Sequence, residues 1–106
     1  MSLPDIKNLL DTARRIQDEV AKVREALAAK TVTGETGGGL VRCVANGKGE
    51  VVSISIDPSI AGDQRMVEDL TVGAVNIALE RARELAQAEL GAATGGLPLP
   101  PGLFGG

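Results

Sequence analysis

The apolar positions of residues 4–29 form a heptad repeat. Apolar residues recur at alternating steps of three and four, the a/d spacing of a helix that packs along one stripe. Opposite charges four residues apart fill much of the other side, where helix side chains can pair. The pattern predicts a long amphipathic first helix. The stripe comprises Ile6, Leu9, Ala13, Ile16, Val20, Val23 and Leu27, and the pairs are Lys7–Asp11, Asp11–Arg15, Arg14–Asp18, Arg15–Glu19 and Asp18–Lys22.

The apolar period changes to two between residues 31 and 56, which predicts β structure. A short strand begins at Val32-Thr33 and ends before the glycines at 37–39, and further strands are expected over 40–45 and 50–56. Between the last two strands, Asn46-Gly47 is a strong hairpin signal. The segment therefore predicts a three-stranded antiparallel β-meander.

A second long helix is predicted after the sheet, which ends at Asp57-Pro58. Asp63 can cap its first turn, and Gly91 is a suitable C-cap after a helix that reaches about Leu90. The helix has two apolar stripes and one polar face. The main stripe is Val67, Leu70, Ala74, Ala78, Ala82 and Leu85, the second is Val72, Val75 and Leu79, and the polar face carries Asp69, Asn76, Glu80, Arg83 and Gln87.

Two segments follow from this pattern: a domain over 1–91 and a tail over 92–106. The tail is rich in Gly, Pro and Leu and has no periodicity, so we expect it to be flexible. The fold class is α+β, with the order helix, three strands, helix.

The length of the helices favours a homodimer. At about 1.5 Å per residue each helix runs roughly 40 Å, whereas strands of this length reach only roughly 20 Å. One sheet therefore cannot cover both helices, and uncovered apolar stripes invite association. The alternative is that the two helices simply pack on each other within one chain.

The composition excludes most catalytic chemistry. The 106 residues include no His, one Cys and one aromatic residue, Phe104. Cys43 lies in mid-strand with no neighbouring base, so a buried, inert thiol is expected. Glycines at 34 and 37–39 are not followed by a Gly-Lys-Ser/Thr sequence, which favours a turn over a phosphate loop. No apolar run is long enough to span a bilayer. We therefore predict no enzyme activity, cofactor, metal site, membrane partner or small-molecule substrate.

The net charge of −3 is unevenly distributed. Residues 4–29 are neutral overall, residues 30–56 carry +1 and residues 57–91 carry −4. Basic side chains on the polar face of the first helix either pair with acidic neighbours or contact phosphates, and the residues alone favour pairing. These side chains are Lys7, Arg14, Arg15 and Lys22, with Arg24 toward the edge of the face.

Several segments, taken in order, resemble the YbaB/EbfC family of bacterial nucleoid-associated proteins. They are the heptad helix, Val32 to Val41 (VTGETGGGLV), Asn46-Gly47, Ile56-Asp57-Pro58-Ser59, Met66 to Leu70 (MVEDL), and Leu99-Pro100-Pro101-Gly102. The resemblance implies a tweezer-shaped homodimer that binds double-stranded DNA with low sequence preference, in the nucleoid of the cytoplasm. For the basic side chains of the first helix, the resemblance favours contact with phosphates over pairing with acidic neighbours.

Seven side chains are therefore candidate DNA contacts: Lys7, Arg14, Arg15, Lys22, Arg24, Arg81 and Arg83. Because neither stacking aromatics nor a helix-turn-helix pattern is present, contacts mainly to the DNA backbone are expected. The alternative, favoured by the acidic balance, is a homodimeric protein-interaction module with weak or no DNA binding.

Overall fold

The protein has the predicted α+β fold, helix, three-stranded antiparallel sheet, helix, in a computed structural model that describes residues 3–93 and Gly95, with side chains from Asp5 onward. The elements are α1 (Leu3–Ala29), β1 (Thr31–Thr36), β2 (Val41–Asn46), β3 (Val51–Ile56), a 3₁₀ turn (Pro58–Ile60) and α2 (Gln64–Ala93). The predicted flexibility of the tail concerns residues that lie almost entirely outside the described part of the chain.

The sheet has the order β1-β2-β3, with β2 in the centre. Cys43 of β2 stands opposite Gly34 of β1 and Ile54 of β3. Facing residues in antiparallel strands point to the same side of the sheet. One face therefore carries Val41, Cys43 and Ala45 in its centre, and all three are fully buried.

The helix α2 covers this face, but mainly over β1 and β2. Its small residues Ala74, Ala78 and Ala82 are almost completely buried. They let the helix backbone approach β1 so closely that a Cβ on Gly34 would lie 2.4 Å from the Ala74 carbonyl oxygen and 2.6 Å from the Ala78 nitrogen. The core of the domain is thus a helix pressed directly onto a strand.

Hydrogen bonds on both sides of Gly34 stabilise this contact. The hydroxyl of Thr36 donates to the carbonyl oxygen of Leu70 at 2.6 Å. On the other side of Gly34, the Arg81 guanidinium donates to the carbonyl oxygen of Thr33. The close approach at Gly34 is therefore bracketed by two hydrogen bonds that join α2 to β1.

The heptad stripe of α1 is covered only in its C-terminal part. Val20 and Leu27 are buried, as is Leu90 near the end of α2, and Lys30 pairs with Glu89 at 2.5 Å. Toward the other end of α1, Ile6 and Leu9 are 42% and 58% exposed. The two helices therefore pack on each other in one chain over part of their length, and the stripe of α1 continues beyond that contact uncovered.

The β2–β3 turn shows why its sequence contains two glycines. Gly49 has φ +82°, the left-handed conformation that glycine adopts without strain. Gly47 instead lies against the end of α1, where a Cβ would come within 2.8 Å of the Leu27 carbonyl oxygen. The hairpin predicted from Asn46-Gly47 is confirmed, but Gly47 serves helix packing and Gly49 makes the turn.

The first strand, predicted to begin at Val32 and to end before Gly37, is confirmed to within one residue as Thr31–Thr36. One predicted boundary is wrong. The predicted C-cap at Gly91 lies inside α2, which continues to Ala93. The cap at the other end is confirmed, since Asp63 Oδ1 accepts from the backbone nitrogen of Met66 at 3.1 Å.

The contact between Gly34 and α2 predicts that a single methyl group added at position 34 strongly destabilises the fold. Gly34→Ala should lower the free energy of unfolding by about 2–3 kcal/mol, because helix and strand must separate to admit the Cβ. Gly62→Ala is the control, since its Cβ would meet nothing within 4 Å and its φ is not positive. It should leave stability unchanged or raise it by up to about 1 kcal/mol. Urea unfolding at one protein concentration measures both, and equal stabilities of the two variants would contradict the packing described.

Candidate nucleic-acid interface

The long helix α1 displays several exposed cations that have no ion pair among the described residues. In the described part of the chain, no carboxylate forms an ion pair with Lys7, Arg14, Arg15 or Arg24. At about 100° per residue, Lys7, Arg14 and Arg15 lie on the side opposite the apolar stripe, whereas Arg24 lies at the edge of the stripe. From Lys7 to Arg24 the four residues span about 25 Å along the helix axis at about 1.5 Å per residue.

The pairing expected from the sequence is mostly wrong. Among the described basic residues of α1, only Lys22 has an ion pair, with Glu19 at 3.6 Å and a spacing of three. None of the five predicted pairs at a spacing of four forms. An exposed pair of this kind stabilises a helix by only about 0.3–0.5 kcal/mol, which the cost of ordering two long side chains offsets. The cations of α1 are therefore available to an external anion.

Two of the predicted DNA-binding residues, Arg81 and Arg83 on α2, already have partners within the chain. Arg81 donates to the backbone of β1 as described above. Arg83 forms an ion pair with Glu80 at 2.5 Å. Their guanidinium groups are thus occupied within the chain, whereas those of Arg14, Arg15 and Arg24 are not. A DNA contact by any of the seven candidates stays a prediction.

Two cations without ion pairs were not among the sequence candidates. Lys48 lies in the β2–β3 turn, and Arg65 lies in the first turn of α2. The sequence does indicate that Lys48 is exposed, because it follows the Asn46-Gly47 turn of the predicted hairpin. Its proximity to α1 could not be inferred, since it depends on the contact of Gly47 with Leu27.

The exposed face of α2 is acidic, whereas α1 is neutral overall. Asp69, Glu80 and Glu84 are all exposed, and residues 57–91 carry a net charge of −4. Phosphates are repelled from such a surface and attracted to unpaired cations. Because α1 is neutral overall and α2 is acidic, α1 is the helix better suited to a polyanion.

The remaining reactive groups have structural roles. Cys43 is fully buried, and desolvation raises the pKa of its thiol, which makes it less reactive. Asp57 caps the 3₁₀ turn, where hydrogen bonds from Ser59 lower the pKa of its carboxyl group. Within residues 3–93 and 95, no cluster of three His, Cys, Asp or Glu side chains could hold a metal ion. Neither helix, as far as the structure describes it, is long and apolar enough to cross a membrane.

Comparison with known proteins places this arrangement in a family. Residues 1–97 match the model of the YbaB/EbfC DNA-binding family. The chain belongs to the YbaB/EbfC family. The resemblance seen in the sequence is confirmed, and so is the expectation of a protein without enzyme activity, because the family is defined by DNA binding and not by a reaction.

Relatives within the YbaB/EbfC family match nearly the whole chain. The nucleoid-associated protein TTE0040 of Caldanaerobacter subterraneus is 44% identical over 102 residues, which cover 94% of this chain and 91% of the relative. The nucleoid-associated protein DP1429 of Desulfotalea psychrophila is 39% identical over 98 residues, covering 91% and 92%. The crystal structure of an uncharacterized protein, HP0035 from Helicobacter pylori, superimposes with a TM-score of 0.68 at 26% identity, covering 83% of this chain and 91% of the other.

Proposed function

We propose that this protein is a nucleoid-associated homodimer that binds double-stranded DNA in the cytoplasm, mainly through the DNA backbone and with low sequence preference. The observation that carries the proposal is the set of four exposed, unpaired cations on α1, Lys7, Arg14, Arg15 and Arg24. Membership of a DNA-binding family and relatives named as nucleoid-associated proteins support it.

The side chains of α1 favour contacts to phosphates over contacts to bases. The described residues include no aromatic ring that could stack on a base, and the only aromatic residue of the sequence is Phe104. Lys and Arg on a helix surface contact phosphates of any sequence, and such contacts position a protein without reading the sequence. Affinity of this origin falls steeply with salt.

The dimer is proposed to form through the part of the core face that α2 does not cover. Because α2 lies over β1 and β2, the apolar side chains of β3 on this same face stay exposed. Val51, Val52, Ile54 and Ile56 are between 41% and 58% exposed. Such a row on an edge strand is an aggregation hazard unless another chain covers it.

The neighbouring side of α2 extends this open surface. Ile77 and Arg81 lie toward β1, as the contacts of Gly34 and Thr33 show. At 100° per residue, Val72, Val75 and Leu79 then lie on the flank of α2 toward β3. Val72 is exposed, and Val75 and Leu79 are half-buried. A second copy of this chain offers the same apolar side chains of β3 and α2 as a cover.

Pairing of two chains would give the DNA-binding surface its strength. Each copy of α1 offers only a few weak phosphate contacts, but two copies on one dimer act on the same duplex. Linked weak contacts add through the high effective concentration of the second site. A function as a dimeric protein-interaction module is the second candidate, and the acidic face of α2 is the observation that favours it.

The proposed interface predicts that a charge on β3 disrupts the dimer. Ile54→Glu should shift the molar mass in light scattering from about two chains toward one, because a carboxylate would be buried between the sheets at a cost of several kcal/mol. Leu9→Glu is the control, since it places the same charge on an equally apolar but distant residue of α1 and should leave the dimer intact. A dimer that survives Ile54→Glu and dissociates with Leu9→Glu would place the interface on α1 instead.

The proposed DNA surface predicts weaker DNA binding when basic side chains of α1 are neutralised. Changing Arg14, Arg15, Lys22 and Arg24 together to Gln should reduce affinity for unrelated duplexes. It should also flatten the dependence of log K on log salt by about 0.9 for each phosphate that the protein no longer neutralises. Fluorescence anisotropy over a salt series measures both quantities.

Changing Glu80 and Glu84 to Gln is the matched control for that experiment. It should leave binding unchanged or strengthen it, because the acidic face of α2 repels phosphates. Both variants must remain folded dimers for the comparison. If the α1 variant binds as tightly as the parent at every salt concentration, α1 is not the DNA surface.

A further inference from the structure

The β2–β3 turn contains the one asparagine of this chain that a glycine follows. The sequence has three asparagines, of which Asn8 and Asn76 precede a leucine and an isoleucine, whereas Asn46 precedes Gly47. Because glycine has no Cβ, its backbone nitrogen is the least hindered and can most readily attack the side chain that precedes it. Asn46 is therefore the position at which this chain is chemically most susceptible to loss of a side-chain amide.

The reaction at such a position is an intramolecular displacement. The nitrogen of Gly47 gives its proton to water or hydroxide and forms a bond to Cγ of Asn46, and the bond between Cγ and the amide nitrogen breaks with release of ammonia. Water then opens the five-membered succinimide ring at either of its two carbonyl carbons. The products are aspartate or isoaspartate at position 46, and the backbone of isoaspartate runs through the former side chain.

The fold restrains the attacking nitrogen. The backbone nitrogen of Gly47 donates to the carbonyl oxygens of Leu27 and Lys30, both at 2.9 Å, so its proton points at the end of α1. Gly47 is buried, and a Cβ at this position would lie 2.6 Å from Cδ2 of Leu27. The backbone thus has no room to turn, and the nitrogen can attack only after the turn has separated from α1.

The side chain under attack is restrained as well. Oδ1 of Asn46 accepts hydrogen bonds from the backbone nitrogens of Lys48 at 3.0 Å and Glu50 at 3.1 Å. Nδ2 of Asn46 donates to the Glu50 carboxylate at 2.9 Å. Asn46 is only 9% exposed, so little water reaches its amide. Closure of the succinimide ring requires that these hydrogen bonds and those of Gly47 break together.

Neither product restores the original turn. Aspartate at position 46 places a carboxylate where the amide nitrogen now donates to Glu50, and like charges repel each other. Isoaspartate lengthens the backbone by one methylene group next to Gly47, whose close contact with Leu27 leaves no spare room. Each product therefore weakens the contact that holds the end of α1.

We propose that Asn46 is a site of spontaneous deamidation whose rate is set by the docking of α1 on the β2–β3 turn. While α1 is docked, the site is closed, and each time the end of α1 separates from the turn, the nitrogen of Gly47 is free to react. The inference is independent of DNA binding and of the dimer interface, because it rests on contacts within one chain.

Peptide mapping by mass spectrometry tests whether the fold closes the site. The full-length protein is incubated at mildly alkaline pH with and without guanidinium chloride. In denaturant, Asn46 should convert to aspartate and isoaspartate while Asn8 and Asn76 stay intact. In the folded protein the conversion should be at least about 10-fold slower, because only transiently opened molecules react. Equal rates in the two states, or no conversion in denaturant, would refute the proposal.

Leu27→Ala tests whether α1 controls the rate. It shortens the side chain that lies against Gly47 and leaves the turn itself unchanged, so deamidation of the folded protein should accelerate about 10-fold or more. Gly34→Ala is the control, because it destabilises the domain at the contact between α2 and β1, away from the turn. Urea unfolding gives the unfolded fraction of each variant, and hence the rate expected from global unfolding alone. If Leu27→Ala reacts no faster than this rate, the role of α1 is refuted.

Lys30→Gln tests the same role without changing a buried residue. It removes the ion pair with Glu89 that joins the end of α1 to α2. Deamidation of Asn46 should accelerate about 2–5-fold, the effect of losing one exposed pair. Lys22→Gln is its matched control, because Lys22 pairs with Glu19 within α1 and away from the turn. Equal rates in the two lysine variants would contradict control by α1, and a faster rate in Lys30→Gln alone would support it.

Discussion

The direct contact between α2 and β1 at Gly34 determines what the rest of this domain can do. A helix that approaches a strand through Ala74 and Ala78 packs close to β1 and β2, and its width of about 10–12 Å does not extend over the third strand. The apolar side chains of β3 are then left open on the same face as the core. The small residues that stabilise one chain thus also create the surface through which two chains are proposed to pair.

A second backbone contact directs the first helix. Gly47 holds the end of α1 against the hairpin, and from there the helix runs past the end of α2, with its apolar stripe covered near Val20 and exposed at Leu9. Each helix carries five acidic side chains, but α2 has a net charge of −2, whereas α1 is neutral and carries four unpaired cations. Geometry and charge together make α1 the part of the molecule suited to a polyanion, although the chain as a whole is acidic.

Local patterns in the sequence are sufficient to predict the elements of this fold. The heptad of α1, the period of two in the strands and the cap at Asp63 all depend on neighbours in the chain. Contacts between distant elements, such as Gly34 with Ala74 or Gly47 with Leu27, could not be predicted in this way. The proximity of Lys48 to α1 likewise depends on the contact of Gly47 with Leu27. The expected pairs of Arg14 and Arg15 do not form for another reason, because the cost of ordering two exposed side chains offsets their small gain.

A nuclear magnetic resonance titration of the dimer with a short duplex tests the proposed DNA surface most directly, because it reports every backbone amide at once. We expect salt-sensitive shift changes to be centred on α1, with the exposed face of α2 around Glu80 and Glu84 unaffected. Changes centred on that acidic face, or none at all at low salt, would contradict DNA binding through α1.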